Sequence, residues 1–365
     1  MKVLFLSVTA GEGHNQTAKA IMDCVENEQI ECTMLDTFEY INPFLSESID
    51  RGYRISTKFT PAVYGRIYRA AEMRERTSHR VSITSLMSAL LNKKMINFLR
   101  DYAPDVIVCT HIFAAQIVSY LQKKDLNTIS IGIVTDFTIH PFWEETELNY
   151  YITASDLLNN QMMRKGIPLD KVHPIGIPIL TKFATKREPS EARRMLGIED
   201  KNTIFVMSGS MGYGHVEDVI AGLDQVQRDF QIVSVCGNNK AVKRKIDNMK
   251  TKKKVYSYGF VDNVDLIMDA STCIVTKPGG LTVSESITKE LPMILVNPIP
   301  GQEDRNVEFL VNNGMGIKVS KTYPIDEAIF QLLQNPVRIT SLKEMMKTLG
   351  KPNATENLTA LIKSL

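Results

Sequence analysis

Cysteine is scarce in this sequence, and the five that occur (Cys24, Cys32, Cys109, Cys236, Cys273) are scattered, odd in number and never spaced Cys-x-x-Cys. Neither a disulfide framework nor a zinc site is suggested, and a reducing cytoplasm is the expected compartment. Long hydrophobic runs are missing too. None approaches the roughly 18 to 20 residues that cross a bilayer, and the apolar start Val3 to Val8 meets polar Glu12, His14 and Asn15 after one strand length. A transmembrane helix is excluded on this pattern and a signal peptide is not expected. There is no low-complexity tract either. At 365 residues, 44% hydrophobic and 23% charged, the composition is that of an ordinary globular chain long enough for two domains.

Net charge is only +2, but it is unevenly placed. Residues 51–100 hold eleven Lys/Arg against Glu72 and Glu75, a local excess of +9 that leaves the rest of the chain at −7. With Phe59, Tyr64, Ile67, Tyr68, Met87 and Leu90 between the charges, the segment can meet an anionic surface, lipid or nucleic acid. A solvated helix face is the alternative reading.

The first half opens strand, glycine turn, helix: Lys2 to Val8, then Ala18, Ile21, Met22 and Val25 at helical spacing. Apolar runs Val106–Cys109, Ile129–Val134 and Tyr150–Thr153 follow, separated by helix-length stretches. Pro174, Pro178 and Pro189 interrupt the pattern, which restarts with Ile204–Met207, Ile232–Cys236, Val255–Tyr258, Cys273–Thr276 and Met293–Val296. Such alternation predicts an α/β protein of two doubly wound, Rossmann-like domains facing a cleft, 1–180 and 181–345.

Three turns can carry chemistry. Thr9-Ala10-Gly11-Glu12-Gly13-His14 leaves the first strand and places His14 near a helix N-terminus, where an imidazole can take a proton from a hydroxyl. It is no dinucleotide fingerprint, because Gln16 stands where the third glycine belongs. Ser208-Gly209-Ser210-Met211-Gly212 can offer backbone N–H groups to a phosphate but lacks the Gly-Lys-Ser/Thr ending of an ATP-binding loop. The most specific is Lys277-Pro278-Gly279-Gly280-Leu281-Thr282, followed by Glu285 and, one strand later, Pro300-Gly301-Gln302-Glu303-x-x-Asn306. Glycines at a strand-to-helix junction aim N–H groups at an anion, Glu285 can accept from ribose hydroxyls, and Gln302, Glu303 and Asn306 suit sugar hydroxyls. Phe260 and Val261, after Val255–Tyr258, complete the expected donor contacts, with Gly13 on the other half.

Gly11-Glu12-Gly13-His14 with Thr17-Ala18-x-Ala20-Ile21, Thr135-Asp136 with His140-Pro141-x-Trp143, Gly176-Ile177-Pro178 and Pro300-Gly301-Gln302-Glu303-x-x-Asn306 resemble the signature positions of the monogalactosyldiacylglycerol synthase and processive diacylglycerol glucosyltransferase family. The likeness runs along nearly the whole chain in the same order. A more distant one, mainly in the second half, is to the peptidoglycan N-acetylglucosaminyltransferase. Gly279-Gly280-Leu281 departs from the glycine-proline arrangement of the plant enzymes.

The resemblance implies a GT-B fold and inverting transfer of a hexose, glucose favoured over galactose, from a UDP-sugar to diacylglycerol, by a peripheral enzyme on the cytoplasmic face of the membrane. It implies His14 as general base with Asp136 orienting it or the acceptor. It also implies His140 and Trp143 as acceptor or structural support, and a last helix in 346–365 that packs back on the first domain; from the basic segment, Phe59, Tyr64, Arg66, Tyr68 and Arg69 are the expected membrane contacts. His111, after Val106–Cys109, is a weaker candidate. No cofactor and no metal are expected, since no Asp-x-Asp occurs, and no nucleic-acid partner. Transfer of N-acetylglucosamine to a lipid-linked precursor and a UDP-sugar-sensing regulator are the alternatives.

Overall fold

Short β-branched runs, apolar on both sides, make strands that need cover on both faces, and the chain supplies it twice. The computed structural model describes residues 1–9, 12–27, 29–41, 93–124, 126–207, 209 and 215–365. They form two units: Met1–Leu180 with Ile299–Gln302 and Asn353–Leu365, and Thr181–Pro298 with Glu303–Pro352.

In the first unit β1 (Lys2–Ser7), β2 (Glu31–Asp36), β3 (Val106–Cys109), β4 (Ile129–Ile133), β5 (Tyr150–Ile152) and β6 (Val172–His173) pair in the order β2-β1-β3-β4-β5-β6. Every pairing is parallel. Helix Gly13–Val25 lays Ala18, Ile21 and Val25 on Val3, Phe5 and Val108, and the last helix, Ala354–Lys363, adds Leu358 and Ile362 to the same core. The Thr355 hydroxyl clamps that helix, accepting from the Ile179 N–H at 3.0 Å and donating to the Ile179 carbonyl at 2.6 Å. The preceding helix, Pro336–Leu349, belongs to the second unit, so the crossing back begins near Asn353. Gly132 in β4 cannot carry a side chain: a Cβ there would lie 2.6 Å from Leu148 and 2.8 Å from the Trp143 ring.

In the second unit β7 (Thr203–Met207), β8 (Gln231–Val235), β9 (Val255–Tyr258), β10 (Cys273–Thr276), β11 (Met293–Leu295) and β12 (Gly316–Lys318) pair in the order β12-β11-β10-β7-β8-β9, again all parallel. In such sheets the ligand crevice opens at the carboxyl ends of the two strands where the order reverses. Those strands are β1 and β3 in the first unit, β7 and β10 in the second. All three glycine turns follow one of them.

Candidate functional site

The carboxyl ends of β1, β3 and β4 bring together residues far apart in sequence. His14, second in the helix Gly13–Val25, has its Nδ1 2.7 Å from the Thr110 carbonyl oxygen just past β3. A carbonyl only accepts, so Nδ1 carries the proton and Nε2 of the neutral ring keeps a lone pair. The Thr135 hydroxyl, past β4, lies 3.4 Å from the same Nδ1. Partial burial holds the His14 pKa below its ordinary value, against the opposing pull of Thr110. At neutral pH the ring is therefore an unprotonated base.

Below it a polar floor is fixed by short bonds. Ser7 donates to Asn15 at 2.6 Å, Thr110 donates to Ser7 at 3.2 Å, and Asp36 accepts from the N–H groups of Thr9, Phe38 and Glu39. His111 packs its ring edge-on to that of His14, centroids 4.6 Å apart. His140 caps the short helix Pro141–Glu145 by accepting from the Phe142 N–H at 3.2 Å. Three of the six histidines thus stand at one end of one sheet.

Asp136 follows Thr135, but the neighbour that reaches His14 Nδ1 is the threonine; the Asp136 carboxylate accepts from the Gln302 side-chain amide within the same unit. Trp143 is only 3% exposed and packs on Gly132 and against Tyr151, with centroids 6.1 Å apart. It supports β4 from inside and presents no surface to a membrane. Phe59, Tyr64, Arg66, Tyr68 and Arg69 lie outside the described residues. Of the basic segment, Lys94 and Arg100 are described and exposed, and Lys94 donates to the Tyr40 carbonyl at 3.0 Å with its ammonium over the Tyr40 ring.

The second unit places different chemistry at its switch point. The nine-residue helix Gly280–Thr288 starts directly after the β10 turn, and its first N–H groups, those of Gly280, Leu281 and Thr282, have no partner inside the helix. A Cβ at Gly279 or Gly209 would meet nothing within 4 Å, and Gly209 holds a left-handed φ of +69°. At both glycines the backbone is therefore open to a ligand. Ser208, Ser210 and Gly212 fall outside the described residues.

Lys277 Nζ sits 3.3 Å from the Glu303 carboxylate, a cation beside this turn that the motif reading passed over. Asn306 is fully buried and donates to the Pro278 carbonyl at 2.9 Å, so its amide shapes the turn. Phe260 is 63% exposed beyond β9, with Val261 partly buried beside it. The Glu285 pKa is raised to about 8, chiefly by desolvation, with Lys182 opposing and Asp265 adding to the rise. A carboxyl so placed waits for hydrogen-bonding partners.

An ion network ties the start of this unit to its body. Lys289 donates to both Asp269 oxygens at 2.8 Å, and Arg187 stands 3.5 Å from Asp265 and 3.6 Å from Asp269. Among the described residues no cluster of three His, Cys, Asp or Glu side chains could hold a metal ion, and no helix is long and apolar enough to cross a membrane.

Residues 14–179 match the family of monogalactosyldiacylglycerol (MGDG) synthase, and residues 203–360 match the glycosyltransferase family 28 C-terminal domain. The chain is 28% identical to the processive diacylglycerol beta-glucosyltransferase of Bacillus cereus over 96% of its own length and 90% of that protein's, and 27% identical to the one of Bacillus mycoides over the same shares. Among solved structures, Acinetobacter baumannii MurG superposes with a TM-score of 0.61 at 15% identity, covering 100% of this chain and 99% of that one. The S. aureus MnaA–UDP complex does so with a TM-score of 0.63 at 11% identity, over 99% and 96%. The fold is GT-B. The chain thus joins a monogalactosyldiacylglycerol synthase family region, residues 14–179, to a glycosyltransferase family 28 C-terminal domain, residues 203–360, and is similar along most of its length to diacylglycerol glucosyltransferases.

Proposed function

We propose that the protein transfers a hexose, glucose favoured, from a UDP-sugar to the free hydroxyl of diacylglycerol with inversion at the anomeric carbon. The observation that carries this reading is the His14 imidazole, whose Nδ1–H donates a hydrogen bond to the Thr110 carbonyl, which leaves the lone pair of Nε2 as the base. His14 Nε2 takes the hydroxyl proton as that oxygen bonds to the anomeric carbon from the face opposite the leaving group. The bond from that carbon to the phosphate oxygen breaks, and UDP departs with the electron pair. Asp136 is a further candidate for orienting the acceptor.

In the second unit the N–H groups of Gly280–Thr282 and the Lys277 ammonium are suited to the diphosphate and its developing charge. Glu285 is suited to the ribose hydroxyls and Glu303 to the sugar, as is Gln302, which belongs to the first unit. The relatives named as diacylglycerol glucosyltransferases support the acceptor, and UDP in the MnaA structure supports the donor class. A base and a diphosphate cradle made of protein groups make the reaction metal-independent, with the enzyme working at the cytoplasmic face of the membrane. Residues 51–100 supply its basic contact, and processive addition of further sugars is part of the same reading.

The test is a panel of UDP-sugars against vesicles containing diacylglycerol, with and without a chelator, products identified by mass. Hexosyl-diacylglycerol, undiminished by chelator, supports the reading. Transfer only to a lipid-linked peptidoglycan precursor, or no turnover with any UDP-sugar, contradicts it.

A further inference from the structure

We infer that His111 is a positioning residue for the transfer, holding the His14 ring in place and keeping water off it; the inference rests on His14 as the base. Three observations converge on it. First, Thr110 and His111 are adjacent, and between them they grip His14 twice, the Thr110 carbonyl on Nδ1 at 2.7 Å and the His111 ring edge-on at 4.6 Å between centroids. A hydrogen bond alone leaves the imidazole free to rock about that bond, whereas a second contact from a perpendicular ring removes the freedom.

Second, His111 is the N-cap of the helix Ile112–Gln122: its own Nδ1 accepts from the Phe113 N–H at 3.2 Å. In the neutral ring the proton is therefore on Nε2, and a second proton at Nδ1 would break the cap and put a cation at the positive end of a helix. The titratable groups that bear on His111 are His14 and His140, and both oppose a charge there, as burial does. Asp36, at the end of β2, has its oxygens engaged by three backbone N–H groups. His111 thus stays neutral, and of the two paired rings only His14 is left to take up a proton.

Third, His111 continues into an aromatic wall. Its ring lies 5.1 Å from Phe113, which lies 5.6 Å from Phe38 and 6.4 Å from Phe142. This apolar wall backs the ring that lies against His14.

Two roles are separable here, the cap and the ring, and Asn separates them because it caps a helix as well as any residue but has no ring. His111→Asn, His111→Ala and His14→Gln are assayed for kcat against pH, UDP affinity and thermal stability. The expected result for His111→Asn is wild-type folding and UDP affinity, with kcat lowered about 10- to 100-fold, the scale of a misplaced catalytic group. Its acid limb moves to higher pH, because water admitted beside His14 lets that ring's depressed pKa rise toward its ordinary value, so the base is lost sooner on acidification. His111→Ala loses the same kcat and, in addition, stability. An Asn variant with wild-type kcat and an unmoved acid limb overturns the inference, whatever Ala does, since His111 is then a cap and nothing more. His14→Gln keeps the two failures apart. If it is inactive while His111→Asn is normal, only the present inference falls; if it retains full turnover, the base assignment falls and takes this inference with it.

Discussion

The two switch points have the same topology and opposite chemistry. At the end of β1 and β3 the working groups are neutral imidazoles and hydroxyls held by backbone carbonyls and N–H groups, with no ion pair on His14 among the described residues. At the end of β7 and β10 they are glycines, a lysine paired with a carboxylate, and a half-buried acid above an ion network. An uncharged surround keeps a histidine unprotonated and ready to accept a proton, while a surround of N–H dipoles and cations suits a leaving group that gains negative charge. The parallel sheet decides where each site lies. The residues set on its ends decide what the site can do.

The largest expected effect lies under the second site. Asp269→Ala leaves the Lys289 ammonium, 1% exposed, with the Thr185 carbonyl but without its carboxylate, and removal of one member of a buried ion pair costs about 3 to 5 kcal/mol. Denaturant unfolding should show that loss, whereas a change below 1 kcal/mol would mean the network is not structural. Next is Glu285→Ala, which should weaken UDP and UDP-sugar alike by about 1.5 to 3 kcal/mol if the carboxylate holds the ribose. Unchanged UDP affinity by calorimetry would remove that assignment. Gln302→Ala should instead weaken UDP-sugar more than UDP.

Smaller, but sharper as a contrast, is the pH response. Ribose hydroxyls that donate to Glu285 favour its ionised form, and the free protein holds that group protonated below about 8. UDP binding should therefore release a proton, and affinity should rise with pH up to about 8, by at most about tenfold per unit. Glu285→Gln should flatten the slope. The base in the first unit has the opposite displacement: its pKa lies below the ordinary histidine value, so turnover should persist on acidification past that value before it falls.

Much of this was legible in the sequence because it is local. Alternating apolar runs, the prolines between the halves, and glycine turns after the strands at both switch points depend on neighbours in the chain, and the structure divides at Leu180 and Thr181 between Pro178 and Pro189. What could not be read is long-range. The Thr110 carbonyl and the Thr135 hydroxyl reach His14 across 96 and 121 residues, and no periodicity marks an acceptor at that separation. His111 looked incidental because its significance lies in a ring contact. Lys277 was overlooked since its partner, Glu303, begins a later helix. Trp143, expected as acceptor or structural support, is buried against Gly132 of β4, a contact that its His-Pro-x-Trp neighbours do not mark.

The division of labour is tested most directly by measuring kcat and UDP affinity side by side in His14→Gln and Glu285→Ala. Loss of general-base catalysis should lower kcat roughly 10²- to 10⁴-fold in the first variant with UDP affinity unchanged, while the second should lose UDP affinity. If His14→Gln turned over normally, or lost UDP affinity as Glu285→Ala does, the assignment of base chemistry to one unit and donor binding to the other would be contradicted.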